Sequence, residues 1–220
     1  MIPIKDHNPS GRFPFVTYAL IGLNVAVFVY MLTLREGAMD GFVAQYAVTP
    51  SVVTHGVNLV SLITSMFLHG GFAHIIGNML FLNIFGDNME DRLGHFKYLL
   101  YYLGAGLAGS LLQIVFNPAS NIPMLGASGA IAGVMGGYLV LFPHERVDVL
   151  WSWGFVFQRS TVPARMMLLY WIFFQFVSGL GSIGISGGGV AFFAHIGGFA
   201  FGWGAIKLMR RNILIPRVRE

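Results

Sequence analysis

Three sets of polar side chains stand in otherwise apolar stretches of this 220-residue chain. His74 and Asn78, in the run HGGFAHIIGNML, are four residues apart and so share one face of a helix. Ser128 stands in the small-residue run GASGAIAG, and His195 stands between Ala194 and Ile196-Gly197-Gly198. A serine hydroxyl becomes a useful nucleophile when a histidine takes its proton. The tetrahedral oxyanion that follows needs prearranged donors. The Asn78 amide, His74 and the backbone N–H of Ser128 are groups of the right type. Each set also has a plain structural use: Asn and His hydrogen-bond between membrane helices, and small residues at four-residue spacing let helices pack closely. A buried neutral histidine can be a packing residue. His69, just before the helix that carries His74, suits an interfacial position.

What must position these groups follows from composition. Hydrophobic residues make up 55% of the chain and charged residues 10%, where soluble domains carry about 45–50% and about 25%. Mean hydropathy is +0.70. So little polar surface excludes an ordinary cytosolic enzyme, a disordered chain and a nucleic-acid binder built on a basic stripe. Cysteine is absent, which excludes disulfides, thiolate chemistry and Cys-based metal sites.

A membrane helix needs roughly 20 predominantly apolar residues. Four stretches lack Asp, Glu, Lys and Arg: 13–34, 41–86, 98–144 and 166–206. The first suits one span. The second opens with Thr49, Pro50, Ser51, Thr54, His55 and Asn58, which reads as a long loop, and continues as a helix from Phe72. The third is broken at 117–123 and the fourth at the Gly-rich 179–189, so each holds two spans. The expected spans are about 13–34, 72–90, 98–116, 125–142, 166–180 and 190–210. Six spans put twelve of the thirteen basic residues on one side, with only Arg35 on the other. By the positive-inside rule both termini are then cytoplasmic. The net charge of +4 is an orientation device rather than a sign of an anionic partner. The 22-residue first stretch is too long for a usual cleaved signal. The segment 151–158 is too short to span and suits the interface.

Spans four and six both run inward from the outer side, so Ser128 and His195 lie at similar depth. Ser128, Ala132 and Gly136 would share one face of span four, and His195, Gly198 and Gly202 one face of span six. Small residues on both sides allow a close approach. Ser128 at a helix start has free backbone N–H groups beside it. No acid lies at this depth to orient His195, which makes the expected pair a dyad. The surroundings of Ser128 differ from the G-x-S-x-G elbow of soluble hydrolases, because Ala130 takes the last position.

His74-x-x-x-Asn78, Gly126-x-Ser128-Gly129 and His195-x-x-Gly198-x-x-x-Gly202, in this order on spans two, four and six, resemble the signature set of the rhomboid intramembrane serine proteases. Glu90-x-Arg92-x-Gly94 is similar to a structural motif that follows span two in that family. The resemblance covers about 13–211. It implies an all-α polytopic membrane protein, a six-transmembrane-helix rhomboid-like bundle in a single domain over 1–220. It implies cleavage of single-span transmembrane protein substrates in or near the outer leaflet, with Ser128 as nucleophile and His195 as base. Asn78, His74 and the Ser128 N–H would stabilise the oxyanion, and Gly129, Gly133, Gly198 and Gly202 would pack helices. No cofactor, metal or nucleic acid is implied; membrane lipid and the substrates are the partners, in a bacterial-type inner (plasma) membrane. The loop 181–189 would cap the site, and span five would govern lateral access, with Phe173, Phe174 and Phe176 as candidates.

Some features depart from the pattern. Residues 36–71 lack the Trp-Arg pair that many bacterial members carry. Ala132 stands where some members stack an aromatic ring on the histidine, so another group must orient His195. The 143–163 connection has no assigned role, and no extra helix is expected at either end. A catalytically inactive rhomboid-like protein that binds or escorts membrane proteins is the alternative, but such relatives usually lack the serine or the histidine. A small transporter or channel would often carry charged residues in mid-membrane, whereas Asp87, Glu90, Lys207 and Arg210 stand only near the ends of the expected spans.

Overall fold

The structure is a computed structural model that describes residues 1–153, 156–182 and 189–213. Its elements are β1 (Ile2–Asp6), α1 (Phe15–Thr33), α2 (Glu36–Tyr46), α3 (Pro50–Val53), α4 (Ser61–Thr64), a 3₁₀ turn (Ser65–Phe67), α5 (Phe72–Leu93), α6 (His95–Phe116), α7 (Ser128–Leu141), β2 (Arg146–Trp153), β3 (Val156–Pro163), α8 (Ala164–Gly181) and α9 (Phe192–Ile213). Four helices are long and apolar enough to cross a membrane: α1, α6, α8 and the Phe192–Met209 part of α9. A fifth candidate is the pair Ser61–Phe67 and Phe72–Leu93, bent by 94°. At 14 residues α7 is about 21 Å long, short of a hydrocarbon core of about 30 Å.

The short helix α7 is the centre of the bundle. Every residue from Gly129 to Tyr138 is buried, and α7 packs against α9, α6 and α5. Its contact with α9 is nearly backbone to backbone. A Cβ added at Gly198 would run into the Gly129 carbonyl, and one at Gly202 into the Gly133 carbonyl. One at Gly136 would strike the Phe199 carbonyl. At Gly129 itself a Cβ would meet the Ala194 carbonyl oxygen at 3.5 Å, an ordinary contact, so the closeness there is required by its partner Gly198. The closest backbone approach to α9 is therefore at Gly129, Gly133 and Gly136 rather than along the whole 128, 132, 136 row expected from sequence, of which Ser128 and Gly136 still meet α9. Either row is made of small residues, so composition does not choose between them.

The segment 36–71, expected as a loop, contains α2, α3, α4 and the 3₁₀ turn. Its polar residues close short turns rather than leaving the chain irregular. Ser61 Oγ donates to the Asn58 carbonyl at 2.7 Å, and Thr64 Oγ1 donates to the Tyr46 carbonyl at 2.8 Å. Asn58, at φ +54°, donates its amide to the Gln45 carbonyl at 2.9 Å. Val48 and Met124 exchange backbone hydrogen bonds at 2.9 and 2.7 Å. This bridge ties the segment to the chain that leads into α7, without the Trp-Arg pair.

At the far end of the bundle a carboxylate joins helices. Glu90 is buried, and its oxygens accept from the Val16 N–H (2.8 Å), the Thr17 N–H and hydroxyl (2.7 Å each) and His95 Nδ1 (2.5 Å). The first turn of α1 carries no acidic residue or side-chain cap of its own. Glu90 thus satisfies orphan donors at the positive end of another helix.

The same end carries a feature absent from the sequence reading. Residues 146–163 form an antiparallel pair, Arg146 opposite Pro163 through Trp153 opposite Val156, and β1 adds antiparallel to β2. The segment 151–158, expected to lie at the interface, belongs to this sheet; residues 154–155 of it lie outside the described residues. Asp148 is the buried anchor. Thr161 Oγ1 (2.6 Å), Arg159 (2.5 Å) and His7 Nε2 (3.1 Å) face it and hold its carboxyl well below the usual carboxylate range. Asp6 in β1 accepts from the Tyr138 hydroxyl of α7 at 2.8 Å, and burial pushes its carboxyl up to about 6.

Two expectations follow. Glu90→Ala leaves four donors unpaired, the two of Thr17 buried, and should lower stability by about 3–5 kcal/mol, read by thermal denaturation in detergent, with Glu90→Gln less damaging. The two aspartates act with opposite sign. The raised Asp6 favours docking of β1 below its ordinary range and loses that contribution as pH rises through about 6. The lowered Asp148 contributes above its ordinary value of 3.8 and loses that as pH falls. Protection of the β1 amides in hydrogen exchange, corrected for intrinsic rate, should therefore be greatest near pH 4 and decline as pH rises to about 6.

Candidate active site

The sequence GASG forms the site's floor because a glycine permits what no other residue would. Gly126 has φ +124°, and a Cβ on it would lie 2.6 Å from His74 Nε2. Its N–H donates to the Ser65 carbonyl at 2.9 Å, so the bent approach to α5 holds the segment that leads into Ser128. Ser128 is the first residue of α7, where N–H groups lack intrahelical acceptors.

Close packing of α7 on α9 brings the Ser128 hydroxyl 2.8 Å from His195 Nε2. His195 is buried, at 8% exposure, in the first turn of α9. Gln113 of α6 accepts from the Ala194 N–H at 3.2 Å, which steadies that turn. Across a cavity of about 860 Å³ stand His74 and Asn78 on α5. The cavity is lined by Ser128, His195, His74, Asn78, Gln113 and Trp171 among others. All four of the polar residues expected to converge therefore face one cavity.

Several placements differ from expectation. His69, expected to suit an interfacial position, is 1% exposed within the protein, and its Nε2 accepts from Asn78 Nδ2 at 2.9 Å. Its ring meets that of His74 edge-on, with centroids 5.0 Å apart. An amide nitrogen has two N–H donors, so Asn78 is anchored by one while the other remains for a ligand. Phe173, Phe174 and Phe176 are exposed on α8 and do not line the cavity; Trp171 does. The expected cap 181–189 falls largely on 183–188, outside the described residues.

The group that orients His195 was missed. With Ala132 small, two side chains of α8 take its place. Gln175 Oε1 lies 2.7 Å from His195 Nδ1. Trp171, one turn earlier, sets its ring beside the imidazole with centroids 5.5 Å apart and planes tilted 36°. A signal existed: Gln175 is the lone side-chain amide in the uncharged stretch 166–180, as anomalous there as Asn78 is in its own helix.

A hydroxyl bonded to an imidazole, with amide, imidazole and backbone donors across a cavity, can carry out acyl transfer through an oxyanion. Among the described residues no group of three or more His, Asp or Glu side chains converges as a metal site.

Comparison with known proteins adds an independent observation. The sequence matches the family model of the Rhomboid domain over residues 56–212. It is 33% identical over 136 residues to Rhomboid protein 1, mitochondrial, of Saccharomyces cerevisiae, covering 60% of this chain and 38% of that protein. It is 36% identical over 135 residues to Rhomboid protease GluP of Bacillus subtilis, covering 60% and 26%. It is 35% identical over 151 residues to RHOMBOID-like protein 4 of Arabidopsis thaliana, covering 68% and 34%. The matches thus span less than two fifths of the length of these relatives.

The reactivity of the site can be read without a substrate. A serine-directed phosphonate should attach to the peptide that contains Ser128, and both Ser128→Ala and His195→Ala should block attachment. An adduct on any other peptide would move the nucleophile elsewhere.

Proposed function

The chain belongs to the rhomboid family of membrane proteins, and we propose that it is an intramembrane serine endopeptidase that cleaves single-span transmembrane proteins in or near the outer leaflet. The observation that carries this reading is the 2.8 Å contact between the Ser128 hydroxyl and His195 Nε2 at the wall of a cavity. His195 takes the Ser128 proton as Oγ attacks the scissile carbonyl. The oxyanion accepts from the free Asn78 N–H, from His74 and from the Ser128 N–H. Collapse expels the amine, which takes the proton from His195. Water, deprotonated by the same nitrogen, then releases the acyl group from Ser128. A role confined to binding or escorting membrane proteins has no use for a serine and a histidine at hydrogen-bond distance.

The proposal includes the topology. Six spans are α1, α5, α6, α7, α8 and α9, with α7 reaching only part of the way through the bilayer. Residues 1–220 act as one membrane domain, with membrane lipid around it and no cofactor. Both termini face the cytoplasm of a bacterial-type inner membrane. Support comes from the basic residues. Arg12 pairs with Asp91 at 4.0 Å, Arg92 stands over the Phe142 ring, and Arg146 and Arg159 belong to the sheet docked on the end of α7 remote from Ser128. Basic residues at that end favour the cytoplasmic side. The expected positions Arg217 and Arg219 lie outside the described residues.

The test is cleavage of a single-span test substrate by the purified protein in detergent. Ser128→Ala should abolish it, and Asn78→Ala should lower kcat by roughly 100-fold, the scale of one lost oxyanion donor. Equal cleavage by wild type and Ser128→Ala would falsify the assignment.

A further inference from the structure

A serine–histidine dyad leaves one question of chemistry open. A neutral imidazole carries its proton on Nδ1 or on Nε2, and only the Nδ1–H form presents a free Nε2 to a serine. In a triad a carboxylate makes that choice. Among the described residues no Asp, Glu, Lys or Arg lines the cavity. The groups that face His195 are Ser128 on α7, Gln175 and Trp171 on α8, and His74 across the cavity on α5; α6 brings only the amide of Gln113.

We propose that Gln175 is a positioning residue: its amide oxygen accepts the Nδ1–H of His195 and so keeps Nε2 unprotonated toward Ser128. This rests on the endopeptidase reading above. An amide oxygen accepts but carries no charge, so it selects the tautomer without placing an anion among lipid-facing helices. Trp171 is four residues earlier on the same face of α8 and lies beside the ring. Bond and ring contact together restrict both rotation and tautomer. The remaining surface of α8 is apolar and largely exposed, with Leu169, Tyr170, Phe173, Phe174, Phe176 and Val177 outward. Among the described residues the side-chain hydrogen bond that Gln175 makes is the one to His195. Nucleophile, base and orienting group thus come from three separate helices, α7, α9 and α8.

The experiment compares wild type with Gln175→Leu and Gln175→Glu. Leucine keeps bulk and removes the acceptor. It should lower kcat by roughly 10- to 100-fold, the scale on which losing a histidine's other hydrogen bond acts at metal sites, with KM within about twofold. Glutamate restores the acceptor and adds charge. It should recover most of kcat and carry the acidic limb of the pH profile to higher pH by about one unit or more, since a neighbouring carboxylate favours the imidazolium. A merely structural role would move thermal stability in both variants and leave the pH profile unchanged. Wild-type kcat in Gln175→Leu, or an unshifted profile in an active Gln175→Glu, overturns the proposal. Nitrogen NMR of histidine-labelled protein in micelles reads the tautomer without any substrate. His195 should carry its proton on Nδ1 in wild type and lose that preference in Gln175→Leu; an Nε2–H form in wild type overturns the proposal even if no cleavage is observed. Absence of cleavage by wild type, with the expected NMR result, overturns the endopeptidase reading alone.

Discussion

The backbone contact between α7 and α9 sets the distance on which the site depends. Gly198 lies against the Gly129 carbonyl and Gly202 against the Gly133 carbonyl, with no room for a side chain at either. In an apolar solvent helices gain nothing from hiding apolar surface, so close packing and polar contacts must hold them. Here the two coincide. The same approach that maximises van der Waals contact carries the Ser128 hydroxyl to hydrogen-bond distance of His195. The Tyr101 hydroxyl donates to the Gly133 carbonyl at 2.5 Å, so α6 fastens the same layer from a third direction. A methyl group inserted in this seam would separate the helices by more than a hydrogen bond tolerates.

The rest of the bundle relieves α7 of the need to span. It is buried from Gly129 to Tyr138, and a non-helical segment leads into it. Irregular backbone at membrane depth is tolerated where it is enclosed by protein or lines a cavity. The Val48–Met124 bridge and the bond from Gly126 to the Ser65 carbonyl supply that enclosure. At the other end Glu90 and the three-stranded sheet fix the starts of α1 and the end of α7. The site end is open and lined by uncharged polar groups; the opposite end is charged and tied together. This division lets a polar cavity exist inside a bundle without burying a charge beside it.

Most of what could be read from sequence concerned spacing along single helices. His74 and Asn78 were legible as one face because 3.6-residue periodicity requires it, and the membrane character was legible because charge is scarce. The 36–71 helices were not, since short turns closed by Ser, Thr and Asn look like loop composition. Arg146 to Trp153 alternates as a strand does and its hairpin partner β3 follows directly, but the third strand, β1, lies more than 140 positions away and has no local signal to mark it as a strand. The His69 contact was not legible because its partner Asn78 is nine residues on, around a bend that no periodicity describes.

By itself the sequence determined a membrane chain of the rhomboid family with a small set of uncharged polar residues worth explaining. Those conclusions rest on composition and local order, which any fold of this chain must share. Only the tertiary structure decided which row of small residues faces α9, that Trp171 rather than Phe173, Phe174 or Phe176 lines the cavity, and that Gln175 meets Nδ1 of His195. Each of those depends on the rotation of one helix about its axis relative to another. A rotation of one residue, about 100°, exchanges a lipid-facing side chain for one in the site, and local sequence carries no record of that angle.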